Sequence, residues 1–465
     1  MCEGIAAEFE GIEFGDKRLN QRGVSILESL AANPEASINA SIESWGDTLA
    51  AYRFFRNVNV RPEEILRPHR EATERRLREH PVVLVVQDTT EFDFTAHPPE
   101  DAQYLEAEHR FGLYDHTHLA ITPEKLCLGV VGSEQFDRAA ETLGKGRARK
   151  SLPIEEKESF RWLTGYRLAC ELQQNSGATQ IVGVADCEAD IYEIFVEVQQ
   201  HSNPADFIIR ARENRCTPER DPQHAGRVFY KVLDKLAEAP VRVRRTIDLP
   251  QTPKRKARQA DLELRAITIE IKPPDSRSHL PTVFQQFVLV REVNGPGDKT
   301  EVSWLLMTSL PIESAEDILR IVDYYVARWT VEIYFRVLKT GCRVERIQLE
   351  TLHRLKNCLA FYKIIAWRIL YLTYLNRTTP ELPCTALFED CEWKSVWSVT
   401  KKTPPPEKPP TLAEFIRLLT SLGGYNNRPS EPPPGPQVFW TATRRMLDFA
   451  IAWVNFGPET RDVYK

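Results

Sequence analysis

PVVLVVQD, residues 81–88, is an apolar, β-branched run with no polar position until its end. Such a run reads as a strand buried on both faces, of the kind found in the middle of a mixed sheet. It puts Asp88 at the C-terminal end of that strand. TQIVGVAD, residues 179–186, repeats the pattern and ends on Asp186. A helical pattern, EADIYEIFVEVQQ (188–200), follows at once. The ends of buried strands are where α/β folds place their chemistry. The expectation is an α/β fold with two aspartates at neighbouring strand ends.

The flanks of this core differ in character. Before it, GDKRLNQRGVSILESLAANP (15–34) and SWGDTLAAYRFFRN (44–57) carry helical spacing, with Pro34 as a stop. This stretch holds Arg18, Arg22, Arg53 and Arg56 and suits a small helical head over residues 1–62. Residues 63–80 read as a charged helix leading into the first strand. Between about 205 and 310, short alternating runs such as FIIRAR, LRAITIEIK, TVFQQFVLVRE and VSWLLMTSL form a β-rich block. A long helix is expected from Ser314, whose SAED resembles a capping box, to about Thr340, with Gly341 as its stop. Two proline-rich stretches, KKTPPPEKPP and RPSEPPPGP, flank TLAEFIRLLTSLGG, and FWTATRRMLDFAIAWV follows. They mark linkers around a helical C-terminal domain, 378–465.

Composition constrains less. The 465 residues are 42% hydrophobic and 27% charged, ordinary for a globular protein of two or three domains. No uninterrupted apolar run reaches the roughly 18 residues of a membrane span. The acidic start MCEGIAAEFEGIEF has no basic segment followed by an apolar one, which implies a cytoplasmic protein without a membrane partner. The nine cysteines form no CxxC pair, which argues for reduced thiols and against a zinc site. Net charge is −5. That disfavours nucleic acid only weakly, because binding depends on distribution. Basic clusters stand at KGRARK (145–150), RVRR (242–245) and KRKAR (254–258); any one of them is more often a solvated loop than a DNA contact.

The expected long helix holds the densest chemistry. Tyr325, Arg328, Glu332 and Lys339 fall within an arc of roughly 60° at about 100° per residue. The aromatics Trp329, Tyr334 and Phe335 beside them suggest a well-buried helix, in which a charged row needs partners. A lone aspartate after a strand is usually a turn or cap. Two of them joined by Glu332 make three carboxylates, a set that suits a pair of hard divalent cations such as Mg²⁺. Two such ions about 3.5–4 Å apart polarise a phosphodiester. Arg328 and Lys339 would hold phosphates next to them. The residues therefore describe a two-metal nuclease or strand transferase on an RNase H-like sheet.

The motifs resemble those of the IS4-family DDE transposases. The three carboxylates are matched by QDTT (Asp88), DCEADIYE (Asp186) and YVARWTVEIYFRVLK (Glu332). The family's Y-(2)-R-(3)-E-(6)-K element is met by Tyr325, Arg328, Glu332 and Lys339. AYRFFRN (51–57), GDKR (15–18), His116 ahead of LAITPE, KTG (339–341) and LGGY (422–425) are further matches, so the resemblance covers nearly the whole chain. It implies a cut-and-paste transposase with an RNase H-like catalytic domain over 63–377. That domain would carry the β-rich insertion between the second Asp and the Glu. Asp88, Asp186 and Glu332 would hold two Mg²⁺ ions per site, with Mn²⁺ able to substitute. Tyr325, Arg328 and Lys339 would contact phosphates, and Trp304 would stack on a flipped base near Arg210. Arg53, with Arg22, would belong to the end-binding head. The partners implied are double-stranded DNA, as transposon ends and as target, and a second copy of the chain in the synapse, joined through the C-terminal helices. Cleavage would pass through a DNA hairpin. One departure stands out, since the family commonly has DRE where this chain has DCE, so Cys187 replaces an arginine. Two other readings of the layout are a catalytically silent DNA-binding protein or repressor, and a nuclease without strand transfer.

Overall fold

The computed structural model describes residues 4–458 except 43, 107–108, 139–151, 221–227, 250, 252–254, 299, 429–430 and 432. The cluster at 145–150 and the first residue of the cluster at 254–258 lie outside the described residues.

The chain opens with α1 (Lys17–Ala32), α2 (Ile38–Ser41) and α3 (Trp45–Arg56). The side chains of Asp16, Ser37 and Ser44 each cap the helix that follows, accepting a backbone N–H otherwise left unpaired. α4 (Pro62–Leu77) begins on a proline, which has no N–H to leave unsatisfied there. The sheet then starts with β1 (Val82–Asp93), β2 (Gln103–Tyr104), β3 (Phe111–Ile121) and β4 (Cys127–Phe136). α5 (Phe160–Asn175) crosses to β5 (Gln180–Ala185), and α6 (Tyr192–Val198) to β6 (Asp206–Arg210). The β-rich block adds β7 (Cys216–Arg220), β8 (Phe229–Lys231), α7 (Val232–Glu238), β9 (Val243–Leu249), β10 (Arg258–Ile271), β11 (Val283–Val293) and β12 (Ser303–Thr308). α8 (Ala315–Ala327), α9 (Thr330–Arg336) and α10 (Leu352–Thr378) follow, then α11 (Asp390–Lys401), α12 (Leu412–Leu422) and α13 (Pro436–Phe456).

Ten strands make one mixed sheet in the order β2-β3-β1-β5-β6-β12-β11-β10-β9, with β4 also paired to β3. β1, β5 and β6 run parallel, and the pairings outside them are antiparallel. This is an RNase H-like sheet with helical N- and C-terminal regions, as the sequence predicts. Two details depart from the periodicity. β6 shares its alternating pattern with the β-rich block but pairs in parallel with β5, because FIIR is buried between two neighbours. The block itself, from β9 to β12, does not fold apart: β12 pairs with β6 and extends the same sheet.

α5 lies very close to the sheet. A Cβ on Gly165 would meet Gln87 Oε1 at 2.1 Å and His118 Nε2 at 2.5 Å, so only glycine allows the approach. On the other side α10 is the central helix of the core. Its composition would suit a bilayer, yet 89% of its most apolar window is buried within the protein. Its Phe361, Tyr362 and Trp367 are almost wholly enclosed. Asn357 donates to the carbonyls of Phe55 and Val60, which bolts the end of α3 to α10. Truncating such an aromatic to alanine costs about 3–5 kcal/mol.

Candidate active site

β1 does not end at Asp88, as its sequence suggests, but runs on to Asp93. Its parallel neighbour stops earlier, since the β1–β5 register closes at Val86 opposite Val184. Beyond that point β1 is paired with β3 alone, with Asp88 opposite Thr117. Asp88 therefore stands in the crevice left where β5 ends. Asp186 follows β5 directly, and its Oδ1 accepts the Glu188 N–H at 2.8 Å, capping a 3-10 turn at Cys187–Ala189.

The third carboxylate arrives on a helix that is not the continuous one expected. α8 stops at Ala327, the N–H groups of Arg328 and Trp329 bond three residues back, and α9 starts at Thr330. α9 then gives way to a π-helical turn at Val337–Gly341. The tightened turn swings Trp329 outward to 50% exposure, whereas Tyr334 and Phe335 are buried as expected. It also turns Arg328 inward, to 5% exposure.

Arg328 joins the carboxylates. Its Nη1 lies 2.8 Å from Asp88 Oδ2 and its Nη2 3.0 Å from Glu332 Oε1. Its Nε is buried with no hydrogen-bond partner. Asp88 is pushed up to about 6, chiefly by burial; the Arg328 charge opposes this, and the charges of Asp186 and Glu332 add to it. All three carboxylates thus share one electrostatic site. Among the described residues no three His, Cys, Asp or Glu side chains stand at metal-holding spacing; here the Arg328 guanidinium bridges Asp88 and Glu332. The donor set nevertheless fits hard divalent cations. It consists of oxygen ligands only, and its mutual repulsion is what a divalent charge would relieve.

An aromatic wall adjoins it. Tyr325 is buried, and its phenol is held above its usual range by burial, with Arg328 and Arg210 pulling the other way. Trp304, half-buried at the start of β12, meets the Tyr325 ring edge-on at 5.6 Å. Arg210 ends β6 directly opposite Leu306. The structure therefore gathers Asp88, Asp186, Glu332, Tyr325, Arg328, Arg210 and Trp304. Lys339 stands apart in the π-helical turn, 3.8 Å from Glu345 and over the Phe92 ring. In the head, Arg53 is exposed on the last turn of α3, and Arg22 is tied to Asp47 at 2.6 Å. The RVRR cluster is met within the fold: Arg244 pairs with Glu263, Arg245 with Asp323, and Arg242 donates to the Glu313 carbonyl.

Sequence reasoning missed Arg161, on α5. It donates to Thr89 Oγ1 at 3.0 Å and to Glu188 at 2.8 Å, touching both aspartate-bearing segments. No motif marks it, because its partner Thr89 is 72 residues away.

The mixed sheet and the family models matched along the chain together give its class, the DDE transposases. The chain matches the family models "Transposase DNA-binding" over residues 1–60, "Transposase DDE domain" over 183–368 and "Transposase Tn5 dimerisation domain" over 364–453. The DDE match includes Asp186 and Glu332 and begins after Asp88; the dimerisation match begins within α10. A cryo-EM structure of a piggyBac transposase synaptic complex with hairpin DNA is similar at a TM-score of 0.34 and 10% identity, over 96% of this chain and 73% of that one. That likeness is too slight to bear on mechanism. With its three parts in family order, the chain belongs to the IS4-like DDE transposases of the Tn5 type. It is a DNA transposase with a DNA-binding and a dimerisation region.

Proposed function

We propose that this protein is a catalytically competent cut-and-paste transposase whose active site is Asp88, Asp186 and Glu332. The observation that carries the proposal is the shared charge of these carboxylates beside a base-sized aromatic wall. The three side chains would hold two Mg²⁺ ions, or Mn²⁺ in their place. Those ions would supply the charge that polarises a scissile phosphate and favours the attacking oxygen.

The remaining groups bind and orient DNA. Arg328 is buried against the carboxylates with its Nε–H unpartnered, which suits a guanidinium that exchanges a carboxylate for a phosphate. Tyr325 keeps its proton and donates to the same backbone. Lys339 approaches from the π-helical turn and adds a phosphate contact. Trp304 presents a half-exposed face on which a flipped base stacks, with Arg210 next to it. Arg53 and Arg22 contribute to binding of the terminal repeat by the head, residues 1–62. Residues 63–377 form the catalytic domain, and the helices of 378–465 join two protomers in the synapse. The reaction is a series of in-line substitutions at phosphorus. Water nicks the end, the freed 3′-OH displaces the opposite strand to close a hairpin, water reopens it, and the 3′-OH joins target DNA.

The test uses the full chain, Mg²⁺ and a duplex copied from the DNA flanking its own gene, resolved on a denaturing gel beside Glu332→Gln. Metal-dependent cutting with a hairpin product, absent in the variant, is the expected result. End binding without cutting in Mg²⁺ or Mn²⁺ would overturn the reading in favour of a silent DNA-binding protein.

A further inference from the structure

Asp88 and Asp186 repel each other, and no backbone pairing joins the segments that carry them past Val86 and Val184. The far side of the Asp186 turn is secured: Asp190 accepts the N–H groups of Arg212 and Glu213 and pairs with Arg215. On the near side, the polar link between the two segments runs through Arg161. Its side chain is 10% exposed. Nη1 is anchored on the Glu158 carbonyl at 2.6 Å, Nε bonds Thr89 Oγ1, and Nη2 bonds Glu188. Gly165, one turn further along α5, lets the helix lie close enough for this reach.

The link continues with a fixed direction. Arginine only donates, so Thr89 Oγ1 accepts from Arg161 and its own proton is free for His116 Nδ1, 2.8 Å away. His116 then carries its proton on Nε2 and donates to Gln87 Oε1 at 3.2 Å. His116 is wholly buried on β3, opposite Thr89 in the sheet register, with Trp162 edge-on at 4.6 Å. Thr89 in turn gives its backbone N–H to Asp88 Oδ1 at 2.8 Å. The chain Arg161–Thr89–His116–Gln87 therefore ends on both sides of Asp88, while the other arm of Arg161 grips the turn after Asp186.

We propose that Arg161, acting through Thr89, His116 and Glu188, is a positioning residue that sets the spacing of the two catalytic aspartates. This rests on the reading that Asp88 and Asp186 are ligands of one cation site. Partners that orient metal ligands from behind typically change affinity 10–100-fold when removed.

The experiment titrates the full-length, DNA-free protein with Mn²⁺ by calorimetry. It compares wild type, Arg161→Ala, Thr89→Val, Thr89→Ser and Asp88→Ala, with melting temperature and metal-free end binding measured alongside. Asp88→Ala loses binding; Arg161→Ala and Thr89→Val weaken it about tenfold or more, and Thr89→Ser, which keeps the hydroxyl, restores it. End binding without metal stays as in wild type in Arg161→Ala and in both Thr89 variants. Wild-type Mn²⁺ affinity in Arg161→Ala and Thr89→Val, with Asp88→Ala inactive in binding, would overturn the positioning role alone. Wild-type Mn²⁺ affinity in Asp88→Ala would instead overturn the metal-site reading beneath it. Thr89→Ser as weak as Thr89→Val, or loss of metal-free end binding in Arg161→Ala, would also refute the proposal, the latter by making Arg161 a DNA contact.

Discussion

Replacing Asp88 by asparagine is expected to make the metal-free protein more stable while abolishing its chemistry. The ordinary aspartate value is 3.8 and Asp88 sits at about 6, mainly because it is buried. A carboxylate whose folded value is raised costs nothing below its unfolded value, where both states are protonated. It costs progressively more as pH rises through the folded value. At about 1.36 kcal/mol per unit, the penalty above pH 6 is roughly 3 kcal/mol. Asparagine keeps the shape and leaves no cavity, but Asp88 accepts from Thr89 at Oδ1 and from Arg328 at Oδ2, and the single amide oxygen replaces only one of them, which takes back about 1 kcal/mol. At roughly 2 °C per kcal/mol, the net gain of about 2 kcal/mol raises the melting temperature of Asp88→Asn in chelator near pH 8 by about 4 °C. The gain shrinks as the buffer is taken toward about pH 5. Adding Mn²⁺ reverses the order, because ligand binding stabilises only the chain that binds it. An Asp88→Asn protein no more stable than wild type in chelator, or a gain that does not shrink in acid, would refute the reasoning.

Other outcomes follow from single contacts. Trp304→Ala slows hairpin formation more than first-strand nicking, by a factor set by a stacking energy of about 1–3 kcal/mol; equal slowing of both steps in single-turnover gels would make Trp304 structural. Arg328→Ala and Lys339→Ala each flatten the salt dependence of end binding by a slope of about 0.9, and unchanged slopes would remove them from the phosphate contacts. Glu8 is held down at about 2; burial would raise it, but the charge and hydrogen bond of His69, and after it those of Arg76, outweigh that. Burial lowers His69, whose Nε2 accepts the Val130 N–H, so its Nδ1–H is the group turned on Glu8. This depressed value contributes stability above about pH 4.5 that is lost as pH falls toward 2, so urea unfolding of Glu8→Gln shows a deficit of about 2–3 kcal/mol near neutrality that narrows in acid.

What the sequence disclosed was what local pattern encodes. PVVLVVQD and TQIVGVAD gave their strands away because a strand buried on both faces has no polar positions. The helix break at Arg328 stayed hidden, because three-residue hydrogen bonding over one turn leaves apolar spacing almost unchanged. Trp329 was therefore placed inside, and it is half exposed. The parallel pairing of β6 is a property of its neighbours rather than of FIIR. Arg161 illustrates the same limit at a distance: nothing in FRWLTGYRLAC points to Thr89 until α5 is laid across the sheet.

The unbroken sheet also works as a gauge. Ala185, Ile209 and Met307 stand in one row across β5, β6 and β12, so Asp186 and Trp304 are separated by two strand spacings and a short step along β12. At about 4.8 Å per strand and 3.4 Å per residue, that is roughly 12 Å of backbone offset. A one-residue insertion in β12 would turn Trp304 to the opposite face, whereas lengthening the distant β9–β10 turn would alter nothing at the cut site. Descendants of this chain should therefore vary freely in length at the sheet's far edge and hardly at all within β6 and β12, where Arg210 stands opposite Leu306.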